Sequence, residues 1–149
     1  MTAIRRWRAW FQVLVLVGAS ACSTPLPAPT LAVPLSNSGW GEFVLHVYDD
    51  TGLITSGRQN EQPAAGGETV TAFPERQELE LVWAGGACAH RPILNVTGDA
   101  AHLRLELETG PSDPQLPFLS CPAVGIRLGV TLSLGAPVAQ AALTLQVSH

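Results

Sequence analysis

The chain has 149 residues and not one lysine; its eight basic residues are all arginine, set against twelve acids. Nucleic-acid binding needs a basic stripe to neutralise phosphates, and none exists. A polybasic contact with anionic lipid is excluded for the same reason. Long apolar runs are also missing. The longest, Trp10–Ala21, is interrupted by Gln12 and falls short of the about 20 residues that span a bilayer as a helix. No segment beyond it shows a sustained 3.6-residue period with caps, and no internal repeat stands out.

The motifs of common chemistries are absent too. There is no His-Glu-x-x-His run and no Gly-x-Ser-x-Gly elbow; Gly18-Ala19-Ser20-Ala21 lies in the leader. Gly66 and Gly67 open no helix that would cradle phosphate. His46, His90, His102 and His149 show no ligand spacing, and the carboxylates form no evident acid/base pair. Asp49-Asp50-Thr51-Gly52 offers oxygen ligands without the acidic spacing of a calcium loop, so it reads as a turn. Asn95-Val96-Thr97 matches a glycosylation acceptor but is expected within a strand. No catalytic residue, cofactor or metal site is expected.

What the sequence does contain begins at its start. Arg5, Arg6 and Arg8 precede an apolar stretch, then the small residues Gly18-Ala19-Ser20-Ala21 lead to Cys22. That is the layout of an export signal cut before a cysteine. It resembles the lipobox of bacterial lipoproteins, with Ala19 where that family prefers Leu. The resemblance implies that residues 1–21 are removed, that Cys22 carries diacylglycerol, and that its new amino group is often acylated as well. Acyl chains contribute roughly 0.8 kcal/mol per buried methylene, so two or three suffice for stable anchoring. The expected location is the cell membrane or outer membrane, facing the periplasm or exterior, with the lipid as membrane contact and another envelope protein as candidate partner. Without the leader, five arginines stand against twelve acids, a net charge of −7, which favours solubility.

With Cys22 assigned to lipid, Cys88 and Cys121 remain as a pair in an oxidising compartment, where a disulfide is expected. The loop closed, of 34 residues, corresponds to about 4 kcal/mol by chain entropy. The rival reading, a metal site from Cys88, His90 and Cys121, lacks a fourth ligand and a recognised spacing. Residues 22–38 hold Pro25, Pro27, Pro29 and Pro34 among small residues and read as a polyproline-like tether.

From residue 39 to 149 the pattern is period two. Leu103, Leu105 and Leu107 alternate with His102, Arg104, Glu106 and Glu108. Leu79, Leu81 and Trp83 alternate with Glu78 and Glu80. Phe43–Tyr48, Thr69–Phe73, Ile93–Thr97, Ile126–Leu134 and Leu143–Val147 follow the same rule. Asp50-Thr51-Gly52 is expected to turn the chain so that Leu53–Thr55 returns as the second arm of a hairpin. Loops are expected at Ser56–Glu68 and Thr109–Ala123. Seven or eight short strands with one apolar face each predict an all-β, antiparallel two-layer sandwich, with an immunoglobulin-like fold or a small barrel as alternatives.

Trp83-Ala84-Gly85-Gly86-Ala87-Cys88, followed by Cys121-Pro122-Ala123-Val124-Gly125, resembles small secreted bacterial β-domains built on Trp-x-Gly-Gly-x-Cys, Cys-Pro-Ala-x-Gly and a final apolar strand. The resemblance covers about Leu79–Val138 and implies fold and compartment, not chemistry. In immunoglobulin domains the tryptophan lies between the two cysteines, whereas Trp83 precedes both. One segment offers more than turn chemistry: Pro111–Ser120 holds three prolines and Leu116, Phe118 and Leu119. These three are either a preorganised binding loop or a cap on the open end of the sandwich. The sequence therefore predicts a lipid-anchored envelope protein with a structural or binding role. The alternatives are an envelope hydrolase or metal-dependent enzyme, and an inhibitor or adhesion module using the 111–120 loop.

Overall fold

The structure is a computed structural model and describes residues 27–37, 41–60, 67–86, 91–110 and 125–149. Its strands are β1 (Leu31–Asn37), β2 (Gly41–Asp49), β3 (Ile54–Gln59), β4 (Thr69–Phe73), β5 (Glu78–Gly86), β6 (Ile93–Asp99), β7 (His102–Glu108), β8 (Gly125–Leu134) and β9 (Leu143–Ser148). They form a five-stranded sheet in the order β1-β2-β6-β7-β9 and a four-stranded sheet in the order β3-β8-β5-β4. The two sheets pack face to face as a β-sandwich, and neither closes into a barrel.

The alternation in sequence explains the layers. In β7 the burial pattern is strictly in-out, with Leu103, Leu105 and Leu107 at 1 % exposure or less. Leu45, Val47, Leu94 and Val96 join them from the same sheet. From the facing sheet come Leu79, Leu81, Trp83, Val130 and Leu132, each fully buried. A fully buried side chain of this kind contributes about 1.5–3 kcal/mol, so one continuous core holds both layers together.

Four details differ from the sequence reading. Leu31–Asn37, within the stretch expected to be a tether, is strand β1, with Val33 and Leu35 buried in the core. Pro34 is tolerated there because β1 is an edge strand and Pro34 itself is exposed. Ser56–Gln59, expected as loop, belongs to β3, where Gly57 faces inward. A Cβ on Gly57 would stand 2.8 Å from Val33 Cγ2, so close packing of β1 over β3 requires glycine and erases the apolar signal at that position.

The third difference is the expected hairpin. β2 and β3 lie in different sheets, so Asp50-Thr51-Gly52 turns a corner between layers. Asp49, the last residue of β2, directs that corner through its carboxylate. Oδ1 accepts from Thr51 N–H at 2.9 Å and from the Thr51 hydroxyl at 2.6 Å; Oδ2 accepts from the buried Ile54 N–H at 2.7 Å. These bonds carry the chain over to the opposite layer. Fourth, the five-stranded sheet is mixed, not antiparallel: β2 pairs with β6 and β7 with β9 in parallel. In both pairs the chain crosses the other sheet between partners, so the route, not the local pattern, sets strand direction.

The β6–β7 hairpin shows the tightest local chemistry. Gly98 has φ of +105°, and a Cβ there would lie 1.9 Å from the His102 carbonyl oxygen. Asp99 Oδ1 accepts from Ala101 N–H at 2.8 Å and from His102 N–H at 2.9 Å. Those two backbone bonds, the Ala101 bond foremost, hold the exposed Asp99 carboxyl below its ordinary pKa.

Candidate functional site

Alternation along β5 turns Glu78 and Glu80 to the outer face of the four-stranded sheet, as the sequence reading expects. The register then sets their neighbours. Glu80 stands opposite Thr131 on one side and Thr71 on the other, and Thr131 stands opposite Arg58. Glu78 stands opposite Phe73. After β4, a 3-10 turn at Pro74–Arg76 ends on Gln77, whose φ of 52° is left-handed. That reversal folds Arg76 back so that its guanidinium lies 4.0 Å over the Phe73 ring, a cation–π contact.

Arg58, Asn60, Phe73, Arg76, Glu78, Glu80 and Thr131 thus line one polar cleft of about 340 Å3 on the sandwich's outer face. Glu78 is its pivot. Its side chain is only 16 % exposed and meets Arg58 Nη2 and Arg76 Nε, each at 3.3 Å. Glu75 adds a longer contact to Arg76 at 3.8 Å. Asn60 Nδ2 bonds the Thr131 hydroxyl, and donates to Glu80 Oε1 at 3.4 Å. Both arginines are more than half exposed, so each ion pair contributes only about 0.2–1 kcal/mol. The cleft presents donors and acceptors of both charge signs side by side. Chemically, that is equipment for binding a polar group.

Sequence reasoning singled out none of these seven residues as a site; its alternation only turned Glu78, Glu80 and Thr131 outward. Arg58, Phe73 and Thr131 come from three other strands, Asn60 from the residue after β3 and Arg76 from a turn, and only strand pairing brings them to Glu78 and Glu80. The one available signal was the outward alternation of β5 and β8.

The residues singled out from sequence fall elsewhere. Cys22, Cys88 and Cys121, and the loop residues Leu116, Phe118 and Leu119, lie outside the described residues. Gly86, two residues before Cys88, and Gly125, four residues after Cys121, face each other at the end of the β5–β8 ladder. Trp83, in β5 three residues before that end, is fully buried, and its indole N–H finds no acceptor among the described residues.

The described histidines are held apart. His46 is aligned with Ile93, and Ile93 with Glu108, so a whole strand separates that histidine from that carboxylate. His102 pairs with Asp99 at the hairpin, at the opposite end of the same sheet. The His149 ring Nδ1 lies 2.9 Å from the Thr109 hydroxyl. Among the described residues no three His, Cys, Asp or Glu are grouped to hold a metal ion.

The fold therefore defines a two-layer β-sandwich with a polar outer cleft. The chain matches no protein-family model, no curated protein and no solved structure.

Proposed function

We propose that this chain is a lipid-anchored, exported protein of the cell envelope with a non-catalytic structural or binding role. The observation that carries the reading is the run from Arg5 to Cys22: basic residues, an apolar stretch too short to cross a bilayer as a helix, then small residues ending on cysteine. Among the described residues no helix is long and apolar enough to cross a membrane. The folded head begins soon after the proposed anchor, because β1 starts at Leu31, nine residues past Cys22. Nine residues reach at most about 30 Å, so the sandwich stands close to the bilayer rather than on the longer stalk the proline count suggests.

The disulfide between Cys88 and Cys121 belongs to the same proposal. An oxidising compartment favours it, and Gly86 and Gly125, two and four residues from the cysteines along the chain, pair with each other in the β5–β8 ladder. Binding is supported by the outer cleft around Glu78, which collects seven polar or aromatic side chains from β3, β4, β5, β8 and the segments beside them. Fractionation of cells expressing Cys22→Ser tests the anchor. The variant should leave the membrane fraction for the soluble envelope or the medium; retention equal to wild type would count against lipidation.

A further inference from the structure

The two sheets have four edges, and edges invite pairing with another chain. β1 carries Pro34, and β3 carries Arg58 and a register irregularity between Ile54 and Ser56. Proline, charge and a bulge all discourage strand addition. β4 and β9 have none of them: Thr69–Phe73 and Leu143–Ser148 are uncharged and contain no proline, and each pairs with its neighbour in unbroken register. What sets β4 apart is its cover: β9 and the 3-10 turn that enters it lie against β4, and one side chain of that turn meets the edge-facing backbone groups. Gln140 sits on the 3-10 turn that enters β9. Its Oε1 accepts from Ala72 N–H at 2.7 Å and its Nε2 donates to Val70 C=O at 3.0 Å. A primary carboxamide has the same donor and acceptor as a peptide group, so Gln140 stands where one residue of an added strand would stand.

We propose that the outer edge of β4 is a pairing surface for a second copy of this chain, and that Gln140 holds it closed. Backbone groups alternate in direction along a strand. Because Val70 and Ala72 point to the edge, Thr69, Thr71 and Phe73 point to β5. An antiparallel two-fold pairing centred on Thr71 would place Val70 opposite Ala72 of the other copy. Both edge-facing residues would then exchange N–H and C=O, four hydrogen bonds in all. Thr71 would face Thr71 of the other copy, and Thr69 would face Phe73, an aromatic–β-branched pair of the favourable kind. No charge opposes its like. The contact is isologous and joins two four-stranded sheets into one. The surface is independent of the N-terminal anchor, so its failure would leave the envelope reading intact.

Sedimentation of the full chain in detergent, from about 1 to about 100 µM, tests this by mass action. Wild type should remain monomeric. Gln140→Ala should double its mass with concentration while keeping its strand content. Thr71→Lys added to Gln140→Ala should restore the monomer, because it sets two like charges at the two-fold centre. Gln140→Asn, one methylene too short to reach both backbone groups, is read in the same way should the alanine variant fail to fold. A folded Gln140→Ala or Gln140→Asn that stays monomeric throughout overturns the proposal. So does a dimer that Thr71→Lys leaves intact, or a wild type already paired through β4.

Discussion

Replacing Asp49 with alanine removes the carboxylate that anchors the corner between β2 and β3. Asp49 is 8 % exposed, and three donors converge on its carboxylate. The Ile54 N–H is buried, and leaving it without an acceptor costs about 1–3 kcal/mol. The two bonds from Thr51 are partly buried and charge-assisted, and their loss adds about 1–2 kcal/mol. The expected total is about 3 kcal/mol. For a domain of this size that lowers Tm by roughly 10 °C. Urea titration should show a lower midpoint with an unchanged slope, since the surface exposed on unfolding is the same. Asp49→Asn keeps one carbonyl oxygen and cannot serve Ile54 and Thr51 together, so it should lose about half as much. An alanine variant melting within about 2 °C of wild type would refute the reasoning. So would an asparagine variant as unstable as the alanine one, because the number of acceptors would then not matter.

Gly98→Ala should destabilise by on the order of 3 kcal/mol, combining a disfavoured φ with a Cβ driven into the His102 carbonyl; a wild-type melting curve would contradict it. Asp99, whose folded pKa is lowered, contributes stability above its unfolded pKa near about 3.9, and that contribution fades as pH falls through the lower folded value. An NMR titration of its carboxyl carbon should give a midpoint below the ordinary carboxylate range, and a midpoint at or above that range would count against the two backbone bonds. Peptide mapping without reductant should recover Cys88 joined to Cys121, and reduction should cost about 4 kcal/mol; free thiols at both positions would remove the crosslink from the account.

Where strands carry an unbroken alternation, the sequence is nearly a map of the layers. β7 is legible residue by residue, and the outward placement of Glu78 and Glu80 follows from the same rule. Legibility ends where packing partners, not periodicity, decide. Pro34 disguises β1 as tether, because its exposed edge position exists only once the sheet has formed. Gly57 disguises β3 as loop, because it is small to admit Val33 and Leu132 from other strands. The turn at Asp49 is correctly seen as a turn, but whether it closes a hairpin or changes layers depends on where Ile54 finds its acceptor. The cleft was half hidden for the same reason. Two carboxylates share a strand and can be read together, whereas Arg58, Arg76 and Thr131 reach them only through the β3-β8-β5-β4 order.

The most direct test of the proposed envelope role is the mass of the protein's own N-terminal peptide, isolated from the membrane fraction of cells expressing the native chain. Lipid anchoring predicts a peptide that begins at Cys22 and carries diacylglycerol, with or without an amide-linked acyl chain. A peptide that begins at Met1, or an unmodified Cys22, would contradict it.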